Sequence, residues 1–219
     1  EKAEEYGYLY TEIPPYEILE STWLSYQDLL YLKMVEEMVG KFFNSGHFHH
    51  TLAFILKDED TSPWRFFSTL AGYWEEKGLA QMGHKQSVLF DHLWNFLELT
   101  SSQWYSPEEK EKVRDLLTFD YYLSGAGGEV PAWLSPQSKP WREKVKAGLK
   151  QAGDPELICF NQDQEIRSSE LRRRMIILDL SINPETCEEE PFPVLIFPPA
   201  QGHPSWTKLP LGKIRTPES

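Results

Sequence analysis

Three histidines fall within four residues, His47, His49 and His50, and imidazole nitrogens commonly bind zinc or iron. If residues 47–57 are helical, each residue turns by about 100°. His47 and His49 then point about 160° apart. His47 and His50 share a face and are the candidate metal ligands. Further ligands would have to come from another segment, such as His84 and His92. Rim histidines with no ligand are the plainer alternative, and nothing matches HExxH. Asp120 is the second candidate. It sits between Leu116, Leu117 and Tyr121 on the inward side of an amphipathic segment, where a carboxylate must be paired. It could serve as a general base with a pKa raised by burial, or more simply anchor a loop or helix end.

Other chemistry-bearing groups read less sharply. Paired acids can hydrolyse glycosides, but neighbours such as Glu36-Glu37 and Glu75-Glu76 point apart on a helix. Glu188-Glu189-Glu190 fits a turn. Arg172-Arg173-Arg174 could meet a phosphate or an acidic surface, or simply solvate the start of a strand. There is no GxSxG, no cysteine with a nearby histidine base and no glycine-rich dinucleotide fingerprint. Gly125-Ala126-Gly127-Gly128 lacks the lysine and hydroxyl ending of a phosphate loop and reads as a flexible linker. No catalytic residue is assigned.

The elements that would position these groups are mostly helical. In Leu24–Gly46, Ser25 with Asp28 makes a capping box. Leu32, Val35, Val39 and Phe42 form an apolar stripe, and Asn44-Ser45-Gly46 stops the helix. Further helices are expected from Phe48 to Leu56, fraying at Asp58-Glu59-Asp60; from Ser62-Pro63 to Lys77-Gly78, with Trp64, Phe67, Leu70 and Trp74 inward; over His84–Leu99; from Ser106-Pro107 to Tyr121; and over Trp141–Lys150. From Glu156 the period changes. LICF, RMIILDLSI and FPVLIF read as three antiparallel strands, ended by Pro198-Pro199. The expected fold is α+β, mainly α: packed helices followed by a small antiparallel sheet. The expected divisions are an aromatic, proline-bearing extended arm at 1–23, a helical domain at 24–152, the sheet at 153–200 and a loose tail at 201–219.

Composition bounds the partners. The chain has 219 residues and a net charge of −12. Residues 1–60 carry four basic against twelve acidic side chains, the wrong sign for nucleic acid. No run reaches the roughly 18 apolar residues of a membrane span. No signal peptide is recognised at the start, and Cys159 and Cys187 form no disulfide framework or metal motif. A cytoplasmic protein is expected. The opening at Glu1, without methionine, reads as a fragment.

The series PPYEILESTWLSYQDLLYLKMVEEMVGKFFNSGHFHHTL, SPWRFFSTLAGYWEEKGL, LLTFDYYLSGAGGEVPAWL and ILDLSINPETCEEE resembles an uncharacterised C-terminal domain of bacterial cobalamin-binding radical SAM proteins. The pieces run in order from about Tyr10 to about Phe197 and are specific as a series. The resemblance implies an upstream cobalamin domain, and a barrel in the same chain holding a [4Fe–4S] cluster through CxxxCxxC and cleaving S-adenosylmethionine. This chain has no CxxxCxxC, so no cofactor and no catalytic residue carries over to it. The implied role is an accessory domain that caps the barrel or shapes its substrate pocket. An interaction or homodimerisation module is the alternative, and a histidine-based metal enzyme a third. On the first reading, surface around Tyr10, Tyr16 and Trp23 is expected to be unusually apolar.

Overall fold

The computed structural model describes residues 5–14, 16–80, 83–127, 129–153, 157–159, 165–198 and 203–209, with 157–159 and 165 as backbone alone. Expectations placed on Pro15, Gly128, Phe160, Pro199 and the tail beyond Leu209 lie outside the described residues. The elements are β1 (Leu9–Tyr10), β2 (Ile18–Glu20), α1 (Tyr26–Met38), a π-helical turn (Val39–Asn44), α2 (His49–Ile55), α3 (Pro63–Glu76), α4 (Gln86–Leu99), α5 (Lys110–Leu123), α6 (Lys139–Gln151), β3 (Leu157–Cys159), β4 (Glu165–Arg167), α7 (Ser168–Arg174), β5 (Ile176–Ile182), β6 (Glu189–Phe197) and β7 (Ser205–Lys208). The fold is α+β and mainly α, with small antiparallel sheets. Two units divide the chain: Glu1–Gly46 with Glu59–Gly83, and His47–Asp58 with His84–Ser219. The division cuts across the helical stretch expected at 24–152.

In the first unit β1 and β2 form a short antiparallel hairpin. Gly7 (φ +59°) precedes it, and a side chain there would meet the Thr22 hydroxyl at 2.8 Å, so only glycine fits. Ser25 and Asp28 exchange hydrogen bonds as a capping box at the start of α1. The buried stripe is Val35, Met38 and Phe42. Leu32, expected inward, is exposed. The helix widens into the π-helical turn before Gly46, which carries Phe42 onto the Trp74 ring at 5.7 Å, edge to face. Ser62 caps α3, with Pro63 in its first turn. That helix buries Phe66, Phe67, Leu70, Ala71 and Trp74, whereas Trp64, expected inward, is 54% exposed, with Tyr31 edge-on to its ring. Gly78 N–H bonds to Glu75 O and Leu79 N–H to Trp74 O, a Schellman ending that needs the positive φ of Gly78.

The second unit is built on a three-stranded antiparallel sheet, ordered β5-β6-β7. Both faces are covered. Leu178, Leu180, Phe192, Val194 and Ile196 pack with Phe119 of α5. Ile177, Leu195 and Phe197 pack with Val145 and Leu149 of α6 and with Leu171 of α7. Burial on two sides explains why these strands read as continuous apolar runs. Three sequence expectations change. LICF does not join this sheet: β3 pairs locally with β4. The third strand is β7, drawn from residues expected in the tail and aligned on Val194–Phe197. The arginine run lies inside α7, not at the start of a strand.

At the 3-10 turn Pro107–Glu109 that leads into α5, Ser106 and Glu109 form a capping box. The Ser106 N–H holds the Glu109 carboxyl below the usual carboxylate range. Its stabilisation is therefore present above that usual range and is lost as pH falls through the depressed value.

The Phe42 ring is fully buried. Phe42→Ala should cost about 3–5 kcal/mol, read as a lower urea midpoint of the first unit by tryptophan fluorescence. A loss below about 1 kcal/mol would show that the π-helical turn does not key this core.

Candidate functional site

The polar groups buried in the second unit converge on α5. Its central turns are buried nearly all round, from Val113 to Tyr121. Asp120, only 2% exposed, faces the first turn of α2. One carboxylate oxygen accepts from the His50 ring Nδ1 at 2.7 Å and the His50 backbone N–H at 3.3 Å. The other accepts from the Thr51 N–H at 2.9 Å and the Thr51 hydroxyl at 2.7 Å. Four donors occupy both oxygens. Helix α2 has no capping side chain of its own, so Asp120 supplies that function from another helix, with the favourable charge for an N-terminus. The arrangement is an anchor, and its filled acceptor positions leave little to take a substrate proton.

Sequence reasoning missed the second carboxylate. Asp115, buried on the same helix, accepts from the Ser135 hydroxyl at 2.6 Å, the Ser181 N–H at 2.9 Å and the Ser181 hydroxyl at 2.8 Å. Ser135 N–H donates to the Thr118 hydroxyl at 2.9 Å. Ser138 N–H donates to Ile177 O at 2.7 Å, and Trp133 Nε1–H donates to Asp91 at 2.7 Å while its ring stacks on Trp94. The loop after α5 is thereby strapped to α4, α5 and β5. The available signal was DLLTFDYYL: apolar residues on every side of a helix mean burial all round, so both aspartates had to be paired.

The histidines do not assemble as the helical reading supposed. α2 begins at His49, leaving His47 in the preceding turn, so the i, i+3 argument for His47 and His50 fails. Of the two His50 ring nitrogens, Nδ1 is held by Asp120 and the ring lies edge-on to Phe119. His84 and His92 face each other at 5.1 Å. Burial and then His84 hold the His92 pKa below its usual value, while Asp91 opposes them. Among the described residues no three His, Cys, Asp or Glu side chains are disposed around one ion position.

The remaining candidates lie in the first unit. Tyr10, Tyr16 and Trp23 are 41%, 68% and 67% exposed. Tyr6, Tyr8, Tyr10 and Trp23 form a chain of ring contacts, with Tyr6 in touch with both Tyr8 and Trp23. Leu9, Ile13, Ile18, Leu24, Tyr26, Leu30, Tyr31 and Leu32 are exposed on the hairpin and on α1. Of the fifteen large apolar side chains exposed among the described residues, thirteen belong to this unit.

Asp120→Ala would leave the His50 and Thr51 donors without their acceptor and should cost about 3 kcal/mol or more. Asp120→Asn, which keeps the shape but turns an amide toward N–H donors, should cost about 1–3 kcal/mol. Chemical denaturation checks both. A change below about 1 kcal/mol for Asp120→Ala would refute the anchor.

In comparison with known families, residues 4–195 match the family described as protein of unknown function (DUF4080). No curated protein and no solved structure matches significantly. Since the match spans well over half of the chain, the protein belongs to the DUF4080 family.

Proposed function

We propose that this chain is an accessory domain of a cobalamin-dependent radical SAM enzyme, seated on the enzyme's barrel through the apolar face of its first unit. The observation that carries the reading is the concentration of exposed apolar side chains on the hairpin and α1. Exposed apolar side chains gathered on one part of a surface mark interfaces. The motif series from Tyr10 to Phe197 supports the choice of partner through its resemblance to such C-terminal domains. Seated there, the domain closes the barrel, excludes water from reactive intermediates and shapes the substrate pocket.

The chain's own cysteines do not fit an iron–sulfur cluster. Cys187 lies in the β5–β6 turn at φ +58°, with its thiol pKa raised by burial, and no CxxxCxxC is present. The cluster, the S-adenosylmethionine and the cobalamin therefore belong to upstream parts of the enzyme, and no step of their chemistry is assigned to residues here. A second copy is the less favoured occupant of the same face. The first unit carries thirteen acidic against five basic side chains, so like charges would rim a self-interface, whereas a basic-rimmed partner would be complementary.

The reading is checked in the intact protein. Its sequence upstream of Tyr10 should contain CxxxCxxC. Joint Tyr16→Glu and Trp23→Glu substitution, at two exposed positions, should leave far-UV circular dichroism unchanged and slow turnover at least tenfold. Normal turnover by that variant, or by the protein lacking this domain, would overturn the capping role.

A further inference from the structure

A second surface feature lies in the other unit, on the junction of β4 and α7. Arg167, Ser169, Glu170, Arg173 and Arg174 line a depression of about 300 Å³. Four arginines and one glutamate occupy residues 167–174, in a chain whose net charge is −12. One of the cations is already used and another lies outside the depression. Arg174 donates to Pro198 O at 3.3 Å and pairs with Glu170 at 3.5 Å, which neutralises the one carboxylate among the described lining residues. Arg172 lies outside the lining. Arg167 and Arg173 remain exposed, and neither has a hydrogen-bond or ion-pair partner among the described residues.

The backbone beneath them is fixed. Leu171 is fully buried in the cluster that holds Met175, Ile166 and Leu149, which turns Ser169 and Arg173 toward solvent on the opposite side of the helix. At the other end, Arg142 donates to Met175 O at 3.1 Å and to Arg172 O at 3.5 Å. The carbonyls at the end of α7 are therefore served by a cation outside the depression, and that need does not account for Arg167 and Arg173.

We propose that this depression binds the phosphate group of a small phosphorylated molecule, with the Arg167 and Arg173 guanidiniums as its two forks and the Ser169 hydroxyl as a further donor. Planar guanidinium donors match phosphate oxygens in pairs, and the volume sits at the lower end of the range for small-molecule sites. Two guanidiniums converging on one cavity repel each other until an anion lies between them, so a divalent oxyanion is preferred over a monovalent one. The site is independent of the interface proposed for the first unit and survives if that reading fails.

Titration of the whole chain with inorganic pyrophosphate at low ionic strength, followed by calorimetry, tests the proposal. One saturable site with a submillimolar Kd is expected, with at least tenfold weaker affinity in Arg167→Gln/Arg173→Gln and less than threefold loss in Lys139→Gln, a surface control. Arg167→Lys/Arg173→Lys, which keeps the charge but not the fork, should lie between, so a structural failure of the glutamine variant would not leave the question open. Absence of saturation, equal affinity in the glutamine variant, or preference for a Glu-rich peptide over pyrophosphate would each overturn the assignment.

Discussion

The carboxylates of Asp115 and Asp120 are the constraint on which the second unit depends. Both project from α5, a helix buried nearly all round, and an ionised carboxylate in such a place is tolerable only when its oxygens are filled with donors. Asp120 fills its oxygens from the first turn of α2. Asp115 fills its own from the loop behind α5 and from β5. The same helix sends Phe119 into the sheet core, where the ring meets Trp206 of β7 at 5.2 Å. One helix thus fixes another helix, a loop and a sheet through two charges and an aromatic ring. Apolar packing alone would tolerate a sliding of these pieces. Directional bonds to buried charges do not, because each displaced donor would leave a desolvated group unpaired.

The first unit is organised differently. Its interior rests on aromatic edges, with Phe42 against Trp74 and Phe43 against Phe67, and its helix ends are closed by a capping box and a Schellman turn. The ion pair of Lys33 with Glu17 links α1 to the hairpin but is exposed and contributes little. Much of the hairpin and the first turns of α1 face water with apolar side chains. Local capping makes the helix persist without burying it.

Local signals in the sequence carried furthest. Ser25-Asp28, Ser62-Pro63, Ser106-Glu109 and Lys77-Gly78 marked helix ends because capping is decided within a few residues. The runs RMIILDLSI and FPVLIF marked the paired strands β5 and β6. What sequence could not decide was pairing between distant segments. Ser205–Lys208 is too short and polar to announce a strand, and becomes one because the edge of β6 accepts it. LICF had a strand's composition, but the nearer β4 took its hydrogen bonds. Seven residues with three arginines form α7 because Leu171 is drawn into the core, a tertiary effect that outweighs local composition. Asp120 was visible as an inward carboxylate, and its partner was not, since the donors lie some seventy residues upstream. Asp115 was overlooked although the all-round apolar character of DLLTFDYYL implied it.

The proposed accessory role requires that the hairpin and α1 be covered by the proposed parent enzyme. Amide hydrogen exchange addresses this directly, because a weakly buried helix opens locally and a partner slows that opening. On that proposal, exchange of residues 6–32 should be at least tenfold slower in the proposed parent enzyme than in this chain alone, while exchange in α5 stays the same. Equal rates for residues 6–32 in the two would contradict the account.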